Sequence, residues 1–154
     1  MTPETVTATS QPMLFISRSS SMDQADISRT MTEAFQKVGA FIGGSGIMPA
    51  GPPLCIYRHW GAGTLDFDVG FPVAEQDLAK ASGEFKAGAT PTGKAMKFTH
   101  RGPYGTLRET YAAITAHLNE KGLPWPALTW EVYVSDPAKM PEKNLVTDIY
   151  MTAE

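Results

Sequence analysis

The sequence predicts an α+β domain made of two β-α-β-β modules related by a pseudo-twofold, with antiparallel strands, two helices on one face and a central ligand groove. Three observations carry that expectation. Period-2 alternation flanks two stripes of helical spacing, and the order of elements in residues 13–73 returns in residues 94–154. Matched side chains also keep a constant spacing: Phe35 and Tyr111, Val38 and Ile114, Ile42 and Leu118, Gly46 and Gly122, and Tyr57 and Tyr133 each stand 76 positions apart. The step grows to 80 between Asp68-Val69 and Asp148-Ile149, as a four-residue longer final loop requires.

Residues 1–12 are rich in Thr, Ser and Pro, lack the charged start and apolar run of a signal peptide, and read as a flexible tail. Met13 to Ser17 reads as a short strand and Arg18 to Met22 as a polar turn. Asp23 with Asp26 caps a helix whose stripe is Ile27, Met31, Ala34, Phe35, Val38, Phe41 and Ile42, and Gly43-Gly44 stops it. After the Gly51-Pro52-Pro53 loop, Leu54 to Trp60 reads as a strand. Leu65, Phe67, Val69 and Phe71 then alternate with Asp66, Asp68, Gly70 and Pro72, the pattern of a strand with one wet face.

Residues 74–93 are small and polar and form a connector, with a short edge strand around Phe85. The second copy opens where Met96, Phe98 and His100 alternate with Lys97, Thr99 and Arg101. Thr106 and Glu109 form a capping box for a helix carrying Leu107, Tyr111, Ile114 and Leu118, and Gly122 ends it. Leu128 to Val134 and Leu145 to Met151 complete the copy as two strands.

Composition narrows the function. A chain of 154 residues with 42% apolar content supports one domain, expected over residues 13–154. The net charge is −3, with 13 Lys and Arg against 16 Asp and Glu and no basic cluster, so direct nucleic-acid binding is not expected. One cysteine cannot form an intrachain disulfide and fits a cytoplasmic setting. No apolar stretch approaches the roughly 18 residues that span a bilayer. His59, His100 and His117 are isolated from other ligand types, and no phosphate loop, nucleophile elbow or dinucleotide fingerprint occurs. Neither metal nor cofactor is expected. Cys55 has no CxxC partner and reads as a buried thiol, while Asp66 and Asp68 share a solvated strand face.

Strand alternation sorts the residues near the C-terminus. With Trp130, Val132 and Val134 facing the helix layer, Thr129, Glu131 and Tyr133 share the other face. By the 76-residue step, Cys55 and Tyr57 hold the matching face of the first copy. An acid and two tyrosines are then expected to converge where the modules meet, a place that favours ligand sites. A carboxylate held among rings loses hydration, which a cationic ligand would offset. The residues alone leave two other roles open for Glu131: a solvent-facing position, or a structural pair with Arg58 or Arg101. Tyr57, Tyr104 and Tyr133 are equally compatible with core packing.

Several strings resemble a known family. They are Gly51-Pro52-Pro53-Leu54-Cys55-Ile56-Tyr57, Asp66-Phe67-Asp68-Val69-Gly70-Phe71-Pro72-Val73, His100-Arg101-Gly102-Pro103-Tyr104, Trp130-Glu131-Val132-Tyr133 and Thr147-Asp148-Ile149-Tyr150. In this order and spacing they are similar, over most of the chain, to the GyrI-like or AraC-type effector-binding domains, the drug-sensing part of bacterial transcription activators. The resemblance is to stand-alone members without a fused DNA-binding helix-turn-helix. It implies a domain that takes lipophilic cationic or flat aromatic compounds into a groove, with Glu131 as its anionic centre. Tyr57, Tyr133, Tyr104, Cys55 and Trp130 are the candidate ligand contacts around it, and Trp60, Met48, Met96 and Trp125 are candidates for its mouth.

Two other functions attach to the same resemblance. One is a hydrolase of strained, cyclopropane-bearing electrophiles, in which Glu131 directs a water and Tyr57 or Tyr133 polarises the substrate. The other is a gyrase-inhibiting interaction protein, for which no contact surface stands out in the sequence.

Overall fold

A computed structural model describes residues 2–61, 63–136 and 139–153. In chain order they form β1 (Glu4–Ala8), β2 (Pro12–Ser21), α1 (Gln24–Gly44), β3 (Leu54–Trp60), β4 (Thr64–Pro72), β5 (Lys86–Ala89), β6 (Gly93–Arg101), α2 (Leu107–Glu120), β7 (Thr129–Tyr133) and β8 (Val146–Thr152), an α+β fold. The chain divides into two units, Thr9–Thr92 and Met1–Ala8 with Gly93–Glu154.

Within Thr9–Thr92 the strands run β5-β2-β4-β3, every pair antiparallel. Within the other unit they run β1-β6-β8-β7, again antiparallel throughout. Both units therefore place their own first, last and middle strands side by side and add one edge strand to the first. The duplication read from the sequence extends to single residues. Ala34, Val38 and Ile42 are the buried residues of α1, and Thr110, Ile114 and Leu118, each 76 positions on, are those of α2. The pairing of Cys55 with Val69 and Tyr57 with Phe67 on β3 and β4 returns as Glu131 with Ile149 and Tyr133 with Thr147 on β7 and β8.

Each helix covers its own strands for an elementary reason. An amphipathic stripe leaves water by lying on the apolar face of a sheet. α1 packs on β2 and β4. On α2, Ile114 and Leu118 form a core with Phe98, Ile149 and Met151, against which Met96, Leu107 and Tyr111 pack. Both helices end at a glycine in the left-handed region, Gly46 at φ 70° and Gly122 at φ 68°, where a side chain would be strained.

Three local expectations are corrected. Residues 1–12 were expected as a tail, yet β1 lies within them, its Thr5-Val6-Thr7 run pairing with Met96, Ala95 and Lys94 of β6. Arg18 to Met22 were expected as a turn, yet β2 continues to Ser21. The polar run is held in the sheet by cross-strand pairs: the Ser17 hydroxyl donates to Asp68 at 2.6 Å and the Ser19 hydroxyl to Asp66 at 2.5 Å. Asp68 is consequently covered rather than wet, and the Arg58 Nε–H donates to its second oxygen at 2.8 Å. Finally, Thr106 does not cap α2 with its side chain; its hydroxyl donates to the Pro103 carbonyl at 2.8 Å. At α1 the expected cap is present, the Asp23 carboxylate accepting from the Asp26 N–H at 3.3 Å.

The stretch 74–93 holds a 3-10 turn over Glu75–Lys80 and the edge strand β5, which pairs with β2. Its Phe85 ring stacks on Phe41 of α1 at 4.1 Å.

Candidate functional site

The face of β7 is fixed by its neighbour β8, because directly opposed residues share one side of an antiparallel sheet. Thr129 opposes Met151 and Glu131 opposes Ile149, and both partners belong to the core under α2. Thr129, Glu131 and Tyr133 therefore face the helix, the reverse of the expected arrangement. Trp130 lies on the other face, 4% exposed, its ring stacked on Tyr150 at 5.3 Å and 7°. Alternation along a strand says which residues go together, but the apolar flanks Val132 and Val134 suggested the wrong side, and Val134 is exposed.

Glu131 sits at the centre of this inward face and is 2% exposed. Its two oxygens take different donors. The Tyr133 hydroxyl, two residues along the same strand, donates to Oε1 at 2.5 Å, and the Tyr111 hydroxyl of α2 donates to Oε2. Hydrogen bonds to the ionised form are what allow a carboxylate to sit away from water. Thr129 and Thr147 place two more buried hydroxyls on the same face, neither with a hydrogen-bond partner among the described residues.

Each tyrosine is continued by a second ring nearer the surface. Tyr104 meets Tyr133 edge-on, with centroids 5.6 Å apart at 78°, and Trp125 lies 6.5 Å from Tyr111. Tyr104 and Trp125 are 37% and 39% exposed, so aromatic surface runs from solvent to the buried carboxylate on both sides. Burial, and then the negative charges of Asp136 and Glu131, push the Tyr104 phenol above the ordinary tyrosine range. Chemically, the arrangement offers one anionic centre, polar hydroxyls beside it and rings that can receive a flat or cationic group.

The structure thus joins Glu131, Tyr133 and Tyr104 of the expected set with Tyr111 and Trp125. Trp125 had been expected only at a mouth, and Tyr111 only as part of the apolar stripe of α2. The signal for Tyr111 was the duplication itself: its counterpart is Phe35, and a hydroxyl on an otherwise apolar stripe needs a partner. Cys55 and Tyr57 are buried on β3 in the unit Thr9–Thr92, where Tyr57 tilts against Phe67 at 6.2 Å. Met48 is exposed and Met96 packs on the core of α2. The side chain of Trp60 lies outside the described residues.

A concavity of about 460 Å³ in the unit Thr9–Thr92 is lined by Ser17, Arg18, Ser19, Arg58, Asp66, Phe67 and Asp68. Ser17 and Arg58 bind Asp68, Ser19 binds Asp66 and Arg18 binds Glu84, so its polar groups already have partners. Among the described residues, no three His, Cys, Asp or Glu side chains are grouped closely enough to hold a metal ion, and no helix is long and apolar enough to cross a membrane.

Comparison with known proteins agrees with this geometry at the level of fold. The EcmrR C-terminal domain superimposes with a TM-score of 0.79 at 16% identity, over 100% of this chain and 99% of that one. In a complex of EcmrR with DNA, this chain spans only 56% of the EcmrR chain, with 97% of its own length covered, 17% identity and a TM-score of 0.73. SAV2435, solved bound to tetraphenylphosphonium, gives 0.71 at 12% identity, over 98% and 93% of the two chains. A hydrolase encoded by lin2189 from Listeria innocua gives 0.56 at 14% identity, over 97% and 90%. No curated protein matches the sequence. The family described as the GyrI-like small molecule binding domain matches residues 1–153, and the chain belongs to it.

Proposed function

We propose that the Glu131 site binds lipophilic compounds that carry a positive charge and flat aromatic groups, and so senses or sequesters them. One observation carries the reading: a nearly inaccessible carboxylate is held by two tyrosine hydroxyls whose rings continue to half-exposed aromatic surface at Tyr104 and Trp125. A buried charge is costly unless it is matched, and a cation about 4 Å away is worth roughly 4 kcal/mol at an effective dielectric of 20, before desolvation. Each ring facing a cation adds on the order of 0.5–2 kcal/mol. With apolar burial, these terms suit micromolar affinity, about −8 kcal/mol. The family's description as small molecule binding and the tetraphenylphosphonium complex of SAV2435 support the reading. A cytoplasmic setting, where a compound able to cross membranes would be met, is part of the same proposal.

The test is calorimetric titration of the chain with tetraphenylphosphonium. Saturable binding at micromolar concentration, with one ligand per chain, is expected. Absence of heat and of ligand-induced thermal stabilisation would remove the proposal.

A second reading uses the same groups as a hydrolase. Glu131 would take a proton from water while the Tyr133 hydroxyl, released from the carboxylate, polarises a strained electrophile. The hydrogen bond between Tyr133 and Glu131 favours it, since acid and base are already in contact. Chromatography after incubation with a cyclopropane-bearing electrophile separates the two: a binder returns its ligand intact, an enzyme returns the ring-opened hydrate.

A further inference from the structure

The duplication makes departures from symmetry informative. At register-equivalent positions the unit Thr9–Thr92 carries Phe35, Ala34, Cys55 and Arg18, where the other unit carries Tyr111, Thr110, Glu131 and His100. Arg18 turns to Glu84 at 2.7 Å. His100 instead is buried and makes three contacts, all within its own unit.

One partner fixes the role of Nε2. Nε2 is 3.0 Å from the Pro103 carbonyl, which can only accept, so Nε2 carries the hydrogen. Nδ1 lies 2.6 Å from the Thr110 hydroxyl, a hydrogen-bond distance. Thr106 Oγ1 closes the cluster, 3.2 Å from Nε2 and donating to the Pro103 carbonyl at 2.8 Å. One imidazole therefore ties β6, the turn over residues 102–106 and the first part of α2 together. The turn starts at Gly102, whose φ of 123° suits glycine and whose N–H donates to the Leu145 carbonyl at 2.8 Å. Tyr104 rides on that turn with its ring against Tyr133.

We infer that His100 is a positioning residue for the ligand site: by gripping the Pro103 carbonyl from a rigid strand, it holds the Tyr104 ring beside Tyr133, next to the Glu131 carboxylate. This rests on the reading of the Glu131 site as a ligand site. A side chain on a packed strand can place a loop ring to within a fraction of an ångström, which a loop alone does not do. Tyr104 stays more than a third exposed, so its ring is only partly held by its own packing.

The test compares His100→Asn, whose shorter amide can stay near Thr110 but falls short of Pro103, with His100→Gln, which retains a donor near the Nε2 position. Contacts between the Tyr104 and Tyr133 rings are read without ligand, by nuclear Overhauser effects. They are expected to vanish in His100→Asn and persist in His100→Gln, both folded by thermal melt. With tetraphenylphosphonium as probe, His100→Asn is expected to weaken binding about 3- to 10-fold, the worth of one ring at a cation. In a Tyr104→Ala background the same substitution should cost nothing further, because the ring it places is gone. A purely structural role would give equal losses in both backgrounds. Ring contacts that survive in folded His100→Asn, or losses that are equal with and without Tyr104, overturn the inference. If the wild type fails to bind the probe while the ring contacts still depend on His100, the ligand reading fails and the positioning of Tyr104 stands.

Discussion

The Tyr133 hydroxyl donates to Glu131 over 2.5 Å from two residues further along the same strand, so one strand supplies both the buried carboxyl group and one of its donors. Tyr111 on the helix supplies a second donor. Removing a donor from a buried charge costs more than an ordinary hydrogen bond. Tyr133→Phe and Tyr111→Phe are each expected to lower unfolding stability by about 1–3 kcal/mol, measured by urea denaturation. In a Glu131→Gln background the same changes should cost about 1 kcal/mol or less, since the acceptor is then neutral. Equal costs in the two backgrounds would argue against an ionised Glu131.

Alkaline pH probes the tyrosines. Burial raises the phenols of both Tyr104 and Tyr150, with Asp136 and then Glu131 adding at the first and Asp148 at the second. A group that binds its proton more tightly in the folded state contributes stability that is complete below its unfolded value, here near pH 10, and lost as pH rises through the folded value. Absorbance at 295 nm is therefore expected to show that Tyr104 and Tyr150 ionise later in the folded chain than in urea, with stability falling over that range.

The duplicated helix ends give a matched pair. Gly46 and Gly122 have φ near 70°, and a Cβ at either would meet nothing within 4 Å, so the cost of alanine there is purely conformational. Gly46→Ala and Gly122→Ala are each expected to destabilise by about 1–2 kcal/mol, and by similar amounts, in thermal unfolding.

Gly70 is a contrasting case. A Cβ there would stand 2.2 Å from the Leu14 carbonyl oxygen, a backbone atom that cannot swing aside. Gly70→Ala is expected to separate β2 from β4 and cost more than about 3 kcal/mol, read as a loss of folded protein in circular dichroism.

The periodic signals in the sequence reached far into the structure because they report burial, which the fold obeys. The 76-residue step predicted the matched stripes of α1 and α2 and the equivalence of Tyr57 and Tyr133, and the α+β architecture followed. What it missed depends on partners distant in sequence. Ser19 looks like a turn residue until Asp66 is placed opposite it. Glu131 was read on the face away from the helices because its apolar neighbours Trp130, Val132 and Val134 were assigned to the helix layer, and the hydroxyls of Tyr133 and Tyr111 are what make the inward face tolerable for an acid. Trp130 was also counted among the candidate ligand contacts, although strand alternation puts it on the face opposite Glu131 and its ring stacks on Tyr150.

The central claim is that the buried charge of Glu131 selects cations. Fluorescence titration of the wild type and Glu131→Gln with a cationic dye and a neutral analogue of the same shape tests it directly. The substitution is expected to weaken the cation by about 30-fold or more, roughly 2 kcal/mol, while the neutral compound shifts by less than about 2-fold. Equal weakening of both ligands, or none of either, would contradict it.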